Sequence, residues 1–218
     1  MAAEVTTGAV ALHTTTDGFA AGDRRLSGIA LSAISSSFLL VTMLAASIAP
    51  GYDFHGAAIS DLGVIAETAT LFNLLLVAIG AMNIAAGYLL YRRQHRAVLV
   101  IYVLAGIGAI GAGMFPLSTG GLHGLFALMA FVGFNLEVIG SAMPLVGPMR
   151  VLGVAAGAVG LAYAAVMVAG DSGNAAVFGP IGHGGTERMI AYPAMLWLLA
   201  FGGYLMAPAA PARDRSRR

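Results

Sequence analysis

Side chains able to do chemistry are scarce in this chain, and they cluster. His55, Ser60, Asp61 and Glu67 fall in the polar stretch between the first two long apolar runs. His123 stands near the start of the fourth run, and His183 and Glu187 lie just before the sixth. Three histidines with carboxylates at one membrane level have the donor chemistry of a zinc or other first-row metal site. With His55, His123 and His183 as ligands, a metal would lower the pKa of a bound water and present it to a lipid ester, amide or phosphoester. Asp61 or Glu187 would then act as an added ligand or general base, with Ser60 beside them. A polar ligand site without bond-breaking chemistry uses the same residues. Purely structural roles are also open. Ser60 or Asp61 can cap a short helix over residues 62–67, and Thr186 can cap the sixth span with Glu187 in its first turn. His183 and Glu187 are four apart, but Gly184-Gly185 between them argues against a continuous helical turn, and no HExxH is present.

A second polar set lies within the apolar runs. Asn83 and Asn135 each sit 14 residues into their spans, about 21 Å down, with Glu137 one step deeper and Asn73 only about 6 Å down. Polar groups in hydrocarbon are costly and face the bundle interior. Asn73, Asn83, Asn135 and Glu137 therefore read either as a polar cavity or proton path, or as an interhelical hydrogen-bond cluster.

The elements that must carry these residues are membrane spans. Hydrophobic residues make up 59% of the chain and charged residues 10%, with a mean hydropathy of +0.86. A soluble domain is about a quarter charged. Apolar runs over 28–49, 69–91, 97–115, 121–143, 148–169 and 188–207 are each long enough to cross about 30 Å of hydrocarbon. The expectation is an all-α polytopic bundle of six transmembrane helices over 28–207. A flexible tail, 1–27, precedes it and a basic tail, 208–218, follows. The first residues, with Glu4 and no early arginine, do not form a signal peptide.

Charge placement orients the bundle. All eleven basic residues are arginine. Arg24-Arg25, the Arg92–Arg96 cluster, Arg150 and the last four arginines fall on one side, and only Arg188 falls on the other, with Asp53, Asp61, Glu67, Asp171 and Glu187. The positive-inside rule then places both termini in the cytoplasm of a cell-membrane protein, with the histidine-bearing bends outside. Tyr52, Tyr91 and Tyr192 lie near enough to span ends to serve as interfacial aromatics.

Several classes drop out. The chain has no cysteine, which removes disulfides and thiolate metal sites. It has no lysine to form a retinal Schiff base. No basic patch with interleaved aromatics suggests nucleic acid, and no filter segment suggests a channel; a transporter or accessory subunit stays open, although no inverted repeat supports a transporter. The glycines of span three (Gly106, Gly108, Gly111, Gly113), Gly153 with Gly157, and Gly120 with Gly124 read as close helix contacts, within the chain or between copies. Membrane lipids are the expected partners.

Ile59-Ser60-Asp61-Leu62-Gly63, then Phe72-Asn73 and Gly80, then Gly113-Met114-Phe115-Pro116 and His123 resemble the pattern of a family of small six-pass prokaryotic membrane proteins, domain of unknown function 998. The resemblance covers about residues 28–207 and implies the six-span fold without an activity. The histidine and acid set is also loosely similar to the alkaline ceramidase and progestin/adipoQ receptor hydrolases. Those are seven-pass and hold zinc with three histidines supported by a serine and an aspartate. That likeness would give Ser60, Asp61, His123 and His183 comparable parts, although the Ser-xxx-His and His-xxx-His spacings are missing here. Two readings follow: a metal-dependent lipid hydrolase, or a membrane protein that binds a lipid or small molecule without acting on it.

Overall fold

The computed structural model describes residues 21–208. Six helices long and apolar enough to cross a membrane account for most of it: α1 (Ala21–Ile48), α2 (Ala69–Tyr91), α3 (Arg96–Met114), α4 (Gly121–Ala142), α5 (Pro148–Asp171) and α6 (Gly182–Met206). Short 3-10 turns at Ile59–Gly63, Leu117–Thr119 and Ala175–Ile181 occupy the bends at one end. Each helix packs on its neighbours in sequence, α6 returns to α1 to close a ring, and α4 touches α6 across it. Large apolar side chains such as Leu40, Leu74, Leu125 and Val151 cover the outside, as a lipid-facing surface requires.

Two helices start earlier than hydropathy indicates. α1 takes in Asp23, Arg24 and Arg25, which the sequence assigns to a flexible tail. Asp23 favours the positive helix N-terminus and accepts a hydrogen bond from Arg92 Nη2 at 2.7 Å, while Arg24 donates to the carbonyls of Tyr204 and Ala207 at 3.2 and 2.8 Å. Those contacts tie the ends of α1, α2 and α6 together at the arginine-rich end. The rest of the N-terminal tail, residues 1–20, and the arginines of the C-terminal tail lie outside the described residues.

α6 starts at Gly182, so His183, Gly184, Gly185 and Glu187 are helical, contrary to the break expected at the glycine pair. Those glycines are there for close approach. A Cβ on Gly184 would meet the Phe54 and Ala57 carbonyls, and one on Gly185 the Ile181 side chain. Thr186 accordingly lies inside the helix and donates to Gly182 O at 2.9 Å instead of capping it.

α3 is thin. Gly106 abuts the Gly80 carbonyl and Ile84 of α2, while Gly108 abuts the Ala130 backbone of α4. This lets α2 reach past α3 to α4, where Asn83 Nδ2 donates to Glu137 Oε2 at 2.8 Å and to Tyr102 O at 3.2 Å. Beside this pair, the Tyr91 and Tyr102 hydroxyls meet Ser141 Oγ at 2.9 and 3.0 Å. Tyr91 is buried and is no interfacial residue. Gly153 and Gly157 pack on α4, and Gly153 also meets Trp197 of α6.

Candidate functional site

The bend between α1 and α2 folds back over the start of α6, and its backbone is tied at many points. Asp53 accepts the Gly56 and His55 N–H groups at 2.8 and 3.2 Å, which hold its carboxyl below the usual range. Tyr52 donates its hydroxyl to Ala58 O at 2.8 Å, and burial pushes its phenol up to about 12 against the opposing pull of Arg188. Arg188 acts as the strap. Its Nη1 donates to Phe54 O, Ala57 O and Gly184 O at 3.0, 3.3 and 2.7 Å, and its Nη2 donates to Tyr52 Oη at 2.6 Å. Its guanidinium also lies over the Phe54 ring at 4.6 Å. Gly184 N–H donates to His55 O at 2.9 Å. The sequence carried a signal for this role, because Arg188 is the lone arginine at its end of the bundle.

The strapped bend delivers the Ile59–Gly63 turn onto Glu187. Ser60 Oγ donates to Glu187 Oε1 at 2.7 Å, Ile59 N–H donates to Oε2, and Ser60 N–H approaches the same oxygen at 3.4 Å. Glu187 is 3% exposed. Asp61 turns the other way and accepts the Ala58 N–H at 2.7 Å. It fastens its own turn from the third position, as the acid of a capping box does, and does not cap residues 62–67.

His123 enters from the first turn of α4. Its Nδ1 lies 2.8 Å from Phe115 O. A carbonyl only accepts, so Nδ1 carries the hydrogen, and in the neutral ring Nε2 is an acceptor. The residue is 4% exposed and Nε2 has no partner. Gly63, Asn73, Gly113, Phe115 and His123, which carry the family resemblance, form one frame. Asn73 Nδ2 donates to Gly63 O at 2.9 Å, and Gly113 lies against the Asn73 carbonyl.

Two hollows meet at these residues. An inner chamber with about 60 Å³ of free space lies within the ring, walled by Phe38, Phe72, Phe134 and Met195 among other apolar groups. A wider cleft lies between α4, α5 and α6 and carries Asp61, Asp171, Ser172 and His183. Ser60, His123 and Glu187 line both, together with Ala127, Phe131 and Ile190. Gly120 and Gly124, read from sequence as a helix contact, line the cleft instead, with nothing within 4 Å of where a Cβ would stand.

The three histidines have separate partners. His55 lies in the exposed bend beside Gly182, His123 is held by Phe115, and His183 Nε2 pairs with Asp171 Oδ1 at 3.1 Å. Among the described residues no three histidine, aspartate or glutamate side chains gather closely enough to hold a metal. Asn135 also separates from the deeper pair it was grouped with. It donates to Phe131 O and Ile190 O at 2.8 and 3.1 Å and lines the chamber, whereas Glu137 faces Asn83. Two residues on a helix are about 200° apart, which puts the two side chains on opposite faces.

A family model described as "Protein of unknown function (DUF998)" matches residues 32–204, from α1 into the last turn of α6. No curated protein and no solved structure matches the chain, so the likeness to ceramidases and progestin/adipoQ receptors gains no support.

Proposed function

The chain belongs to the DUF998 family, a membership that brings no activity with it, and from its own site we propose that it binds an amphiphilic molecule drawn from the membrane. The apolar tail lies in the inner chamber and the polar head at Ser60, His123 and Glu187. The observation that carries this reading is the junction itself. An apolar hollow inside the bundle and a cleft bearing acids and a histidine share one set of buried polar lining residues. Ligand sites are mostly apolar concavities with a few placed polar groups, and this arrangement has that form. Small residues favour entry, because Gly120 and Gly124 leave the α4 side of the cleft open. The metal-dependent alternative asks His55, His123 and His183 to share one ion, whereas His123 is held by Phe115 O and His183 by Asp171, and no three such side chains gather among the described residues. With the arginine-rich end in the cytoplasm, the cleft serves the outer leaflet.

The test is native mass spectrometry of the detergent-purified protein beside a Gly124→Trp variant, whose indole fills the cleft. The expected result is a retained amphiphile of defined mass in the wild type and its loss in a variant that still elutes as a folded species. A wild type without adduct, or equal adducts in both, overturns the reading.

A further inference from the structure

The hydrogen-bond inventory at the junction restricts the head group, on the premise that an amphiphile binds there. Asn135 spends both amide hydrogens on the Phe131 and Ile190 carbonyls. The reversed amide would set oxygen against two carbonyl oxygens, so the assignment is fixed by its neighbours. Its Oδ1 lies against Gly160 of α5, and the residue is twelve positions, about 18 Å, along α4 from His123, so Asn135 takes no part in holding the head. His123 donates from Nδ1 to Phe115 O and leaves Nε2 without a partner, an acceptor when the ring is neutral. Ser60 spends its hydroxyl hydrogen on Glu187. Glu187 can only accept when ionised.

Among the described residues, the buried polar atom left without a partner beside the head is His123 Nε2, an acceptor in the neutral ring. No arginine among the described residues lines the chamber or the cleft. Arg188, the nearest in sequence, is turned onto the bend carbonyls. A carboxylate or phosphate head would meet lone pairs and the Asp61, Asp171 and Glu187 side chains, leaving its own charge unpaired as well, a heavy desolvation cost. A head with an O–H or N–H group would satisfy His123 Nε2 directly and face the carboxylates with a donor.

We propose that the ligand is a long-chain amphiphile whose head donates hydrogen bonds and carries no negative charge, a hydroxyl or an ammonium. Hydroxyl and ammonium share the donor chemistry, and Glu187 favours the second where charge matters.

The experiment uses the full-length protein in a neutral detergent with four probes of equal chain length: tetradecanol, tetradecylamine, tetradecanoate and tetradecyl phosphate. Affinity is read from the concentration dependence of the thermal unfolding midpoint. The alcohol, the amine or both should bind at least about tenfold more tightly than the two anions, the worth of one net hydrogen bond. His123→Phe should weaken alcohol binding by a similar factor. Should that variant fail to fold, Glu187→Gln, which keeps an acceptor for Ser60 but removes the charge, should narrow the preference over tetradecanoate. Anions that bind as tightly as the alcohol and amine overturn this inference and leave amphiphile binding standing. Four probes without effect overturn both. A Glu187→Gln protein with unchanged discrimination removes the charge argument.

Discussion

Glu187 gathers donors from a turn more than a hundred residues away, and its worth lies in what it leaves unpaired when removed. Glu187→Leu strands the Ile59 N–H and the Ser60 hydroxyl in a buried place, at about 1–3 kcal/mol for each unsatisfied group. Ser60→Ala removes one donor and leaves Oε2 still served by Ile59, at about 1 kcal/mol. The two losses should not add. In a Glu187→Leu background, Ser60→Ala should cost nothing or relieve the stranded hydroxyl, a coupling of about 1 kcal/mol or more in a double-mutant cycle of unfolding in mixed micelles. Additive effects would show that the contact is not energetically formed. Both partners were visible in the sequence as candidates, yet their pairing was not. It depends on α6 beginning before Glu187, and Gly184-Gly185 spoke locally against that. The helical rise put Asn83 level with Asn135 and near Glu137, but depth alone could not say that Glu137 faces Asn83 while Asn135 turns to Ile190.

The glycines show how the same residue does different work at the scale of an element. Gly184 is where α6 meets the bend: its Cβ site is occupied by carbonyls of Phe54 and Ala57, and Arg188 crosses beside it. Gly203, in the same helix, has nothing within 4 Å of its Cβ site. Helix propensity predicts that alanine stabilises both by about 1 kcal/mol. Packing reverses one of them. Gly184→Ala should lower the unfolding midpoint by the overpacking cost, about 1–3 kcal/mol, because backbone carbonyls held by Arg188 cannot retreat. Gly203→Ala should match or exceed the wild type. Equal responses in parallel thermal scans would mean that the bend is not seated on α6. Sequence alone could not sort these glycines: GxxxG spacing described the packed Gly153–Gly157 pair and the open Gly120–Gly124 pair equally well. What separates them is the neighbour each one meets, and that is a property of the ring.

At the scale of the whole molecule, hydropathy was informative because every span pays the same desolvation rule. The second span ran over 69–91 in the sequence and does so in the structure. Ring closure was not legible, since lipid-facing and core-facing apolar residues look alike to a hydropathy count. With six spans the start of α1 and the end of α6 would share one side of the membrane, and the positive-inside rule predicts which. Arg24, Arg92, Arg93, Arg96 and Arg150 gather at one end, with Arg188 alone at the other. The resulting prediction is that the turn before α5 is cytoplasmic and the turn before α4 is not. The chain has no cysteine, so single introduced thiols report without background. Ser118 and Val146 are both exposed, on those two turns. In intact cells a membrane-impermeant maleimide should label Ser118→Cys and spare Val146→Cys until the membrane is opened. The reverse pattern would invert the bundle, place the α4–α5–α6 cleft at the inner leaflet, and require that the strap of Arg188, with its three carbonyl partners, outweigh the whole arginine cluster in setting topology.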